Sequence, residues 1–103
     1  MVSELIAEQL RNLPHRPGVY LMRDSRGNIL YVGKASNLRH RVRSYFGARQ
    51  GLSPKTERMV SLVRDIDFFI AASEQEALIL ELNLIKQHRP HYNVLLKDDK
   101  TFP

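Results

Sequence analysis

The sequence predicts a small α/β domain in which a three-stranded, mainly antiparallel sheet is flanked by helices. Two short segments rich in β-branched and aromatic residues enclose a turn-forming segment between residues 18 and 32. Apolar residues recur at helical spacing on either side of this hairpin, and a helix start signal stands near residue 73. Because 103 residues suffice for one core, we expect a single domain over residues 1–103.

The first predicted helix runs from Ser3 to Leu13, with Ser3 as its N-cap. Its apolar positions are Leu5, Ile6, Leu10 and Leu13. Pro14 and Pro17 should end it, because proline removes a backbone donor and clashes with the preceding turn.

The hairpin is predicted from strands at Gly18–Met22 and Asn28–Val32. If the loop centres on Ser25 and Arg26, counting outward places Tyr20 opposite Tyr31 on one face of the sheet. The other face would carry Val19, Leu21, Leu30 and Val32. This inference depends on the register, because a slip of one residue moves a side chain to the opposite face.

A second helix is predicted from a cap at Ser36 to about Phe46, followed by a glycine-containing loop from Gly47 to Ser53. Pro54 suits the first turn of a third helix that reaches about Val63. The segment 66–72 then reads as a strand, with Phe68 and Ile70 facing inward.

Ser73 and Glu76 have the spacing of a capping box, which predicts a last helix that ends at about His88, before Pro90. From His91 onward the chain has no apolar periodicity, and it ends at Pro103. We therefore expect this domain to be excised from a longer protein.

Composition favours an anionic partner in a reducing compartment. The formal net charge is +5, and no acidic residue lies between Asp24 and Glu57. That interval holds a basic patch of Arg26, Lys34, Arg39, Arg41, Arg43, Arg49 and Lys55. Cysteine is absent, and no apolar run is long enough to span a bilayer, so a cytoplasmic protein without a membrane partner is expected.

Glu81 is the sharpest anomaly in the last helix, since helical spacing places it inside the apolar arc of Ala77, Leu78, Leu82 and Ile85. A carboxylate there must be paired, protonated or bound to a metal. A structural salt bridge to an arginine and a metal site both remain open. A metal held by one carboxylate would be a hard ion such as Mg²⁺ or Mn²⁺, with water and phosphate in most of its shell.

Tyr20 and Tyr31 are either ordinary packing residues or reactive groups. Gly18 and Gly33 beside them would permit close approach of a ligand backbone, and Lys34 could lower the pKa of a nearby tyrosine. Such a tyrosine could act as a general base. We assign no catalytic role to the four histidines.

The residues Gly18-Val19-Tyr20 and Tyr31-Val32-Gly33 resemble the signature of the GIY-YIG nuclease family, with valine in place of isoleucine. The resemblance continues through Lys34, Ala35, Asn37, Leu38, Arg41, residues 43–45, residues 76–86, Arg89, Pro90, Tyr92 and Asn93. It covers nearly the whole chain and is closest to the domains at the N-terminus of UvrC-type excinuclease subunits. Leu82 departs from the commoner alanine, but this changes no reactive group.

The resemblance implies a divalent-metal-dependent endonuclease that makes the incision 3′ to a lesion in nucleotide excision repair. Its partners would be damaged double-stranded DNA and UvrB, loaded by UvrA, through the full-length subunit. One Mg²⁺ or Mn²⁺ ion would bind Glu81, Arg41 would stabilise charge on the cut phosphate, and Tyr20, Tyr31 and Lys34 would flank the attacking water. Substrate contacts are expected at Asn37, Arg39, Arg43, Tyr45 and Asn93. Either tyrosine can be the base; we favour Tyr31, because Lys34 is closer to it along the chain.

Two other classes compete with the nuclease. In a noncatalytic nucleic-acid-binding module, the basic helix would hold phosphates and the tyrosines would stack or pack. A structural module that docks a protein partner is the third hypothesis. Glu81 discriminates between the first two, because phosphate binding alone has no use for an acidic group.

Overall fold

The computed structural model describes residues 3–47 and 51–94 of the chain. Arg49 of the basic patch, part of the predicted loop 47–53 and the tail from residue 95 therefore lie outside the described residues. Four helices and three strands follow one another in the order α1 (Glu4–Arg11), β1 (Gly18–Arg23), β2 (Ile29–Ala35), α2 (Leu38–Phe46), α3 (Pro54–Leu62), β3 (Asp65–Ile70) and α4 (Glu74–His88). A single helical turn at 91–94 was not predicted.

The strands form one antiparallel sheet in the order β2-β1-β3, as predicted. Helices α1, α2 and α3 bury their apolar residues in a core on one face, which includes Ile6, Leu38, Val42 and Met59. Helix α4 covers the other face through Ala77, which packs with Val19, Leu21 and Val32 of the sheet. The sheet is therefore the middle of three layers.

The register of the hairpin differs from the prediction. Tyr20 pairs with Gly33, and Tyr31 pairs with Met22, so the two tyrosines are diagonal neighbours rather than opposite each other. The difference is two residues, which keeps both tyrosines on the same face, as predicted.

A β-bulge explains a second difference in the hairpin. Met22 pairs with Tyr31 but Arg23 pairs with Ile29, which leaves Leu30 as an extra residue in β2. Leu30 accordingly packs in the core on the α2 side with Tyr20, whereas Ile29 packs on the α4 side. The prediction that Leu30 shares a face with Val19 is wrong for this reason.

The third strand is shorter and more exposed than predicted. It ends at Ile70 rather than residue 72, and Ile70 is half exposed, so its predicted inward position is wrong. Phe68 does pack against the core on the α2 side. Strand β3 is an edge strand, and its end at Ile70 pairs on one side with Gly18 of β1.

Each helix has a polar N-cap, as short helices in water need to satisfy their first amide groups. Ser3, Ser53 and Ser73 cap α1, α3 and α4. Helix α2 is capped by Asn37 and not by the predicted Ser36; the Asn37 side chain accepts a hydrogen bond from the His40 amide. The carboxylate of Glu76 accepts from the Ala72 amide, one residue earlier than a regular capping box would place it.

Helix α4 packs through a different set of apolar residues from the one predicted. Ala77, Leu80, Leu84 and Ile85 pack on the sheet, while Leu78 and Leu82 are 41% and 54% exposed. Glu81 lies within this sheet-facing arc and is half buried. Within the two described ranges, no helix is long and apolar enough to cross a membrane.

Candidate active site

Three tyrosines form a cluster between the hairpin and helix α2. Tyr20 comes from β1, Tyr31 from β2 and Tyr45 from α2, and their ring centroids lie 6.0 to 6.5 Å apart. The hydroxyl groups of Tyr20 and Tyr45 are hydrogen-bonded at 2.9 Å. Tyr20 is 1% exposed and Tyr45 is 5% exposed, whereas Tyr31 is half buried. Of the three, Tyr31 is the one that solvent or a substrate reaches.

The two signature glycines make room for the protein rather than for a ligand. A Cβ atom at Gly33 would overlap the ζ carbon and the hydroxyl oxygen of Tyr20. At Gly18 it would overlap the carbonyl oxygen of Phe69 and the side chain of Leu38. The prediction of close approach by a ligand backbone is therefore wrong, since both spaces are filled by the chain itself.

Burial dominates the acid–base properties of the cluster. It raises the pKa of the Tyr20 phenol well above its ordinary value, and the neighbouring phenols of Tyr45 and Tyr31 add to the increase. Burial also raises the pKa of Tyr31; Tyr45 and the carboxylate of Glu81 raise it further, while Arg41 opposes them. The pKa values of both tyrosines are therefore raised in the protein without metal or DNA, and the prediction that Lys34 lowers one of them is wrong for that state.

Arg41 lies against the tyrosines. Its guanidinium carbon is 5.2 Å from the centroid of the Tyr45 ring. Burial lowers the pKa of Arg41, but the three phenols around it more than compensate, and the net shift is upward. A permanent positive charge therefore stands beside all three phenols, including that of the partly exposed Tyr31.

Glu81 approaches the cluster from the opposite layer. It extends from the sheet-facing side of α4, and its influence on the Tyr31 pKa shows that the carboxylate and the phenol are electrostatic neighbours. Glu81 and Tyr31 interact around β2, which is an edge strand. Groups from both faces of the sheet can therefore come together at this edge. In the described ranges, no group of three or more His, Cys, Asp or Glu side chains could hold a metal together.

Lys34 is exposed near the end of β2, where it pairs with Val19. Directly paired residues point to the same side, so Lys34 lies on the α4 side of the sheet and not on the side of the tyrosine hydroxyls. An open groove of about 440 Å³ begins at this point and continues along α2. It is lined by Lys34, Ala35, Ser36, Asn37, His40, Arg41 and Ser44.

Three other predicted contact residues occupy different places on α2. Asn37 is the helix cap, and its amide nitrogen is 3.2 Å from Nδ1 of His15. The Arg39 guanidinium donates to the carbonyl oxygen of Arg11 at the end of α1, and its Nε is buried without a hydrogen-bond partner. Arg43 is exposed. No pattern in the sequence pointed to His15, because its partners come from another element.

Asn93 has a backbone role that sequence reasoning missed. Its side-chain oxygen accepts from the Val32 amide at 2.8 Å, and its side-chain nitrogen donates to the Val32 carbonyl at 2.9 Å. The Asn93 amide thus replaces a neighbouring strand at the outer edge of β2, one residue from Tyr31.

Comparison with known proteins gives a consistent result. Residues 16–94 match the family described as the UvrC-like GIY-YIG domain. The chain is 55% identical over 103 residues to UvrABC system protein C of Dehalococcoides mccartyi, and 57% identical over 96 residues to that of Carboxydothermus hydrogenoformans. These alignments cover 100% and 93% of the chain but 17% and 16% of the relatives, so the chain spans about a sixth of their length.

A crystal structure of the GIY-YIG N-terminal endonuclease domain of UvrC from Thermotoga maritima, bound to its catalytic divalent cation, magnesium, has the same fold. The TM-score is 0.77 at 35% identity, over 88% of this chain and 98% of that one. Solved variants of that domain include three tyrosine-to-phenylalanine changes and one asparagine-to-alanine change, each bound to the catalytic divalent cation.

Proposed function

We propose a function from one premise: the chain belongs to the UvrC-like GIY-YIG family of endonuclease domains. As in that family, this domain hydrolyses a phosphodiester bond of DNA, and the cut is the one 3′ to a lesion in bacterial nucleotide excision repair. The domain acts as one unit within a longer protein in the cytoplasm. Damaged double-stranded DNA is its substrate, and UvrB, loaded by UvrA, is the partner of the full-length subunit.

A single divalent cation, Mg²⁺ or Mn²⁺, fits the chemistry of Glu81. One half-buried carboxylate next to Tyr31, without a cluster of further acidic or histidine ligands in the described residues, suits a hard ion that keeps water and phosphate in its shell. Such an ion supplies Lewis-acid polarisation of a phosphoryl oxygen. The relative from Thermotoga maritima, with its magnesium ion, supports this choice.

Tyr31 is the proposed general base. Its partial exposure supports the assignment, because a base must reach the water from which it takes a proton. Tyr20 is almost completely buried and hydrogen-bonded to Tyr45, which suits a role in holding the cluster together. Burial raises the pKa of Tyr31 even with Arg41 beside it, so the base becomes active only when further positive charge, such as that of the metal ion, is brought close to it.

Arg41 and Lys34 are the proposed sources of positive charge from the protein. Arg41 already lies beside the phenols, where a guanidinium can neutralise charge that develops on the cut phosphate. Lys34 stands at the mouth of the adjacent groove, where it can hold the DNA strand in place. Losing one such electrostatic contact typically slows a reaction by about 10²- to 10³-fold.

The substrate contacts expected from the resemblance stay predictions. Arg43 is exposed and can reach a phosphate, while Arg39 would first have to leave the carbonyl of Arg11. Asn37, Tyr45 and Asn93 already use polar groups within the protein, which favours a supporting role over direct contact with DNA.

Incision of a lesion-bearing duplex by the reconstituted repair complex tests the proposal. Tyr31→Phe, Arg41→Ala and Glu81→Ala should each reduce the 3′ cut sharply, Tyr31→Phe by about 10²- to 10⁴-fold, while DNA association changes little. Thermal unfolding serves as the control for misfolding. If the complex with folded Glu81→Ala protein still makes the 3′ cut at the wild-type rate, the cut does not depend on a metal at Glu81. The metal-dependent nuclease proposal for this domain then fails in favour of a noncatalytic binding module, with the cut made elsewhere in the complex. If Tyr20→Phe abolishes the cut and Tyr31→Phe does not, the choice of base is wrong.

A further inference from the structure

Helix α2 presents three faces with different surroundings. Leu38, Val42 and Tyr45 are buried in the core. Asn37, His40, Arg41 and Ser44 follow the spacing i, i+3, i+4, i+7 of one helical face, and all four line the groove beside β2. Arg39 and Arg43 lie on the remaining face and are not part of that groove. The groove face therefore differs from the face on which most of the predicted phosphate contacts were placed.

The groove has the chemistry of a phosphate site. Its polar lining residues carry two cationic groups, an imidazole, an amide and two hydroxyl groups, and none of them is acidic. The Asn37 amide and the Ser44 hydroxyl already bond within the chain, which makes the two cations and the imidazole the main groups for a phosphate. Its volume of about 440 Å³ corresponds to on the order of ten to fifteen water molecules. The groove therefore has more space than the single phosphate at Arg41 would fill. Arg41 belongs both to the groove and to the tyrosine cluster, so the groove leads directly out of the candidate active site.

His40 is held in an oriented position on this groove. Its ring packs edge-to-face against His15, with ring centroids 5.4 Å apart. His15 is itself fixed on both sides, by the Asn37 amide at 3.2 Å and by an Arg39 guanidinium nitrogen at 3.5 Å. An imidazole held in this way loses little conformational freedom when it binds a ligand.

We propose that this groove binds the backbone phosphate next to the one that is cut, and that His40 contacts that phosphate. The inference rests on the proposed function, because it takes the ligand to be the DNA strand that leaves the active site past Arg41. It assigns to His40 a role in positioning the strand without reading its sequence.

The affinity of the chain for a short DNA duplex, measured by fluorescence anisotropy without divalent metal, tests the proposal. His40→Ala should weaken binding by about 3- to 10-fold, the range expected for one lost hydrogen bond. His40→Asp, which introduces a carboxylate into the groove, should weaken it more, and His40→Arg should restore or exceed the wild-type affinity. The matched controls are His88→Ala and His88→Asp, at an exposed histidine at the end of α4.

The control variants should bind within about twofold of wild type at physiological salt, where exposed charges beyond about 8 Å are screened. Unfolding curves that superimpose exclude a structural effect of His40 substitution. If His40→Asp binds DNA as tightly as His88→Asp, the groove proposal is overturned, although metal-dependent incision by the wild type would stand. DNA affinity should fall in the order His40→Arg, wild type, His40→Ala, His40→Asp. If that order is found but the wild-type protein does not cut DNA, the groove proposal stands and the nuclease proposal fails.

Discussion

The three clustered tyrosines differ in their access to solvent, and this difference separates their proposed roles. Tyr20 and Tyr45 are buried and share a hydrogen bond, whereas Tyr31 is half buried on the edge strand β2. Tyr31 also hydrogen-bonds to Tyr45, and the charges of both Arg41 and Glu81 act on its phenol. The sequence pointed to Tyr20 and Tyr31, and the family resemblance added Tyr45 as a substrate contact. Exposure could not be used to choose between the tyrosines at that point, because it depends on α2 and on the edge of the sheet. The choice of Tyr31 as the proposed base now rests on its partial exposure to solvent, and no longer on its short distance from Lys34 along the chain.

The raised pKa of Tyr31 predicts a loss of stability at alkaline pH. A phenol whose folded pKa exceeds its ordinary value near 10 contributes stability below that pH and loses it as the pH rises further. Denaturant unfolding should therefore show a steeper decline in the free energy of unfolding above pH 10 for the wild type than for Tyr31→Phe. Identical slopes for the two proteins would mean that Tyr31 ionises as easily in the folded as in the unfolded chain.

The fit between Gly33 and Tyr20 predicts a specific coupling. Gly33→Ala should destabilise the fold by about 1 to 3 kcal/mol, because its Cβ atom would overlap the Tyr20 ring end. In a Tyr20→Ala background the same substitution should cost much less, and a double-mutant cycle measured by denaturant unfolding gives the difference. Additive effects would show that Gly33 is needed for another reason.

At the scale of elements, the sequence predicted most of the strands and helices but not the edge of the sheet. Turn chemistry and alternation located the hairpin, yet the extra residue at Leu30 changed its register, because no residue type there marks a bulge. In α4, leucine and isoleucine occur on nearly all sides, so periodicity did not identify the face that packs on the sheet. Packing against β1 and β2 decided that face.

The bidentate contact of Asn93 predicts that this residue protects the outer edge of β2. Asn93→Ala should lower the free energy of unfolding by about 1 to 3 kcal/mol, since both backbone groups of Val32 lose their partner. Amide hydrogen exchange at Val32 should accelerate selectively. Asn83→Ala, at an exposed position of α4, is the control and should change stability by no more than about 0.5 kcal/mol. An unchanged exchange rate at Val32 would show that the Asn93 side chain does not protect the backbone at the outer edge of β2.

At the scale of the whole molecule, the candidate site joins the two helical layers across one edge strand. The tyrosines and Arg41 come from the hairpin and α2, while Glu81 comes from α4 on the other side of the sheet. The sequence indicated Glu81 by its position within an apolar arc, and this signal needed no knowledge of the tertiary fold. It did not indicate the groove, because His15, His40 and the end of β2 meet only in the folded chain.

One divalent cation at Glu81 is central to the proposed nuclease activity, and crystals soaked in Mn²⁺ test for it through the anomalous scattering of the metal. We predict one anomalous peak within about 2.0 to 2.6 Å of a Glu81 carboxylate oxygen, and its loss in Glu81→Ala crystals. High metal concentrations should be needed, because a single carboxylate supplies little charge. A map without a peak at Glu81, or with that carboxylate fully paired to arginines, would contradict a metal-dependent nuclease site at Glu81.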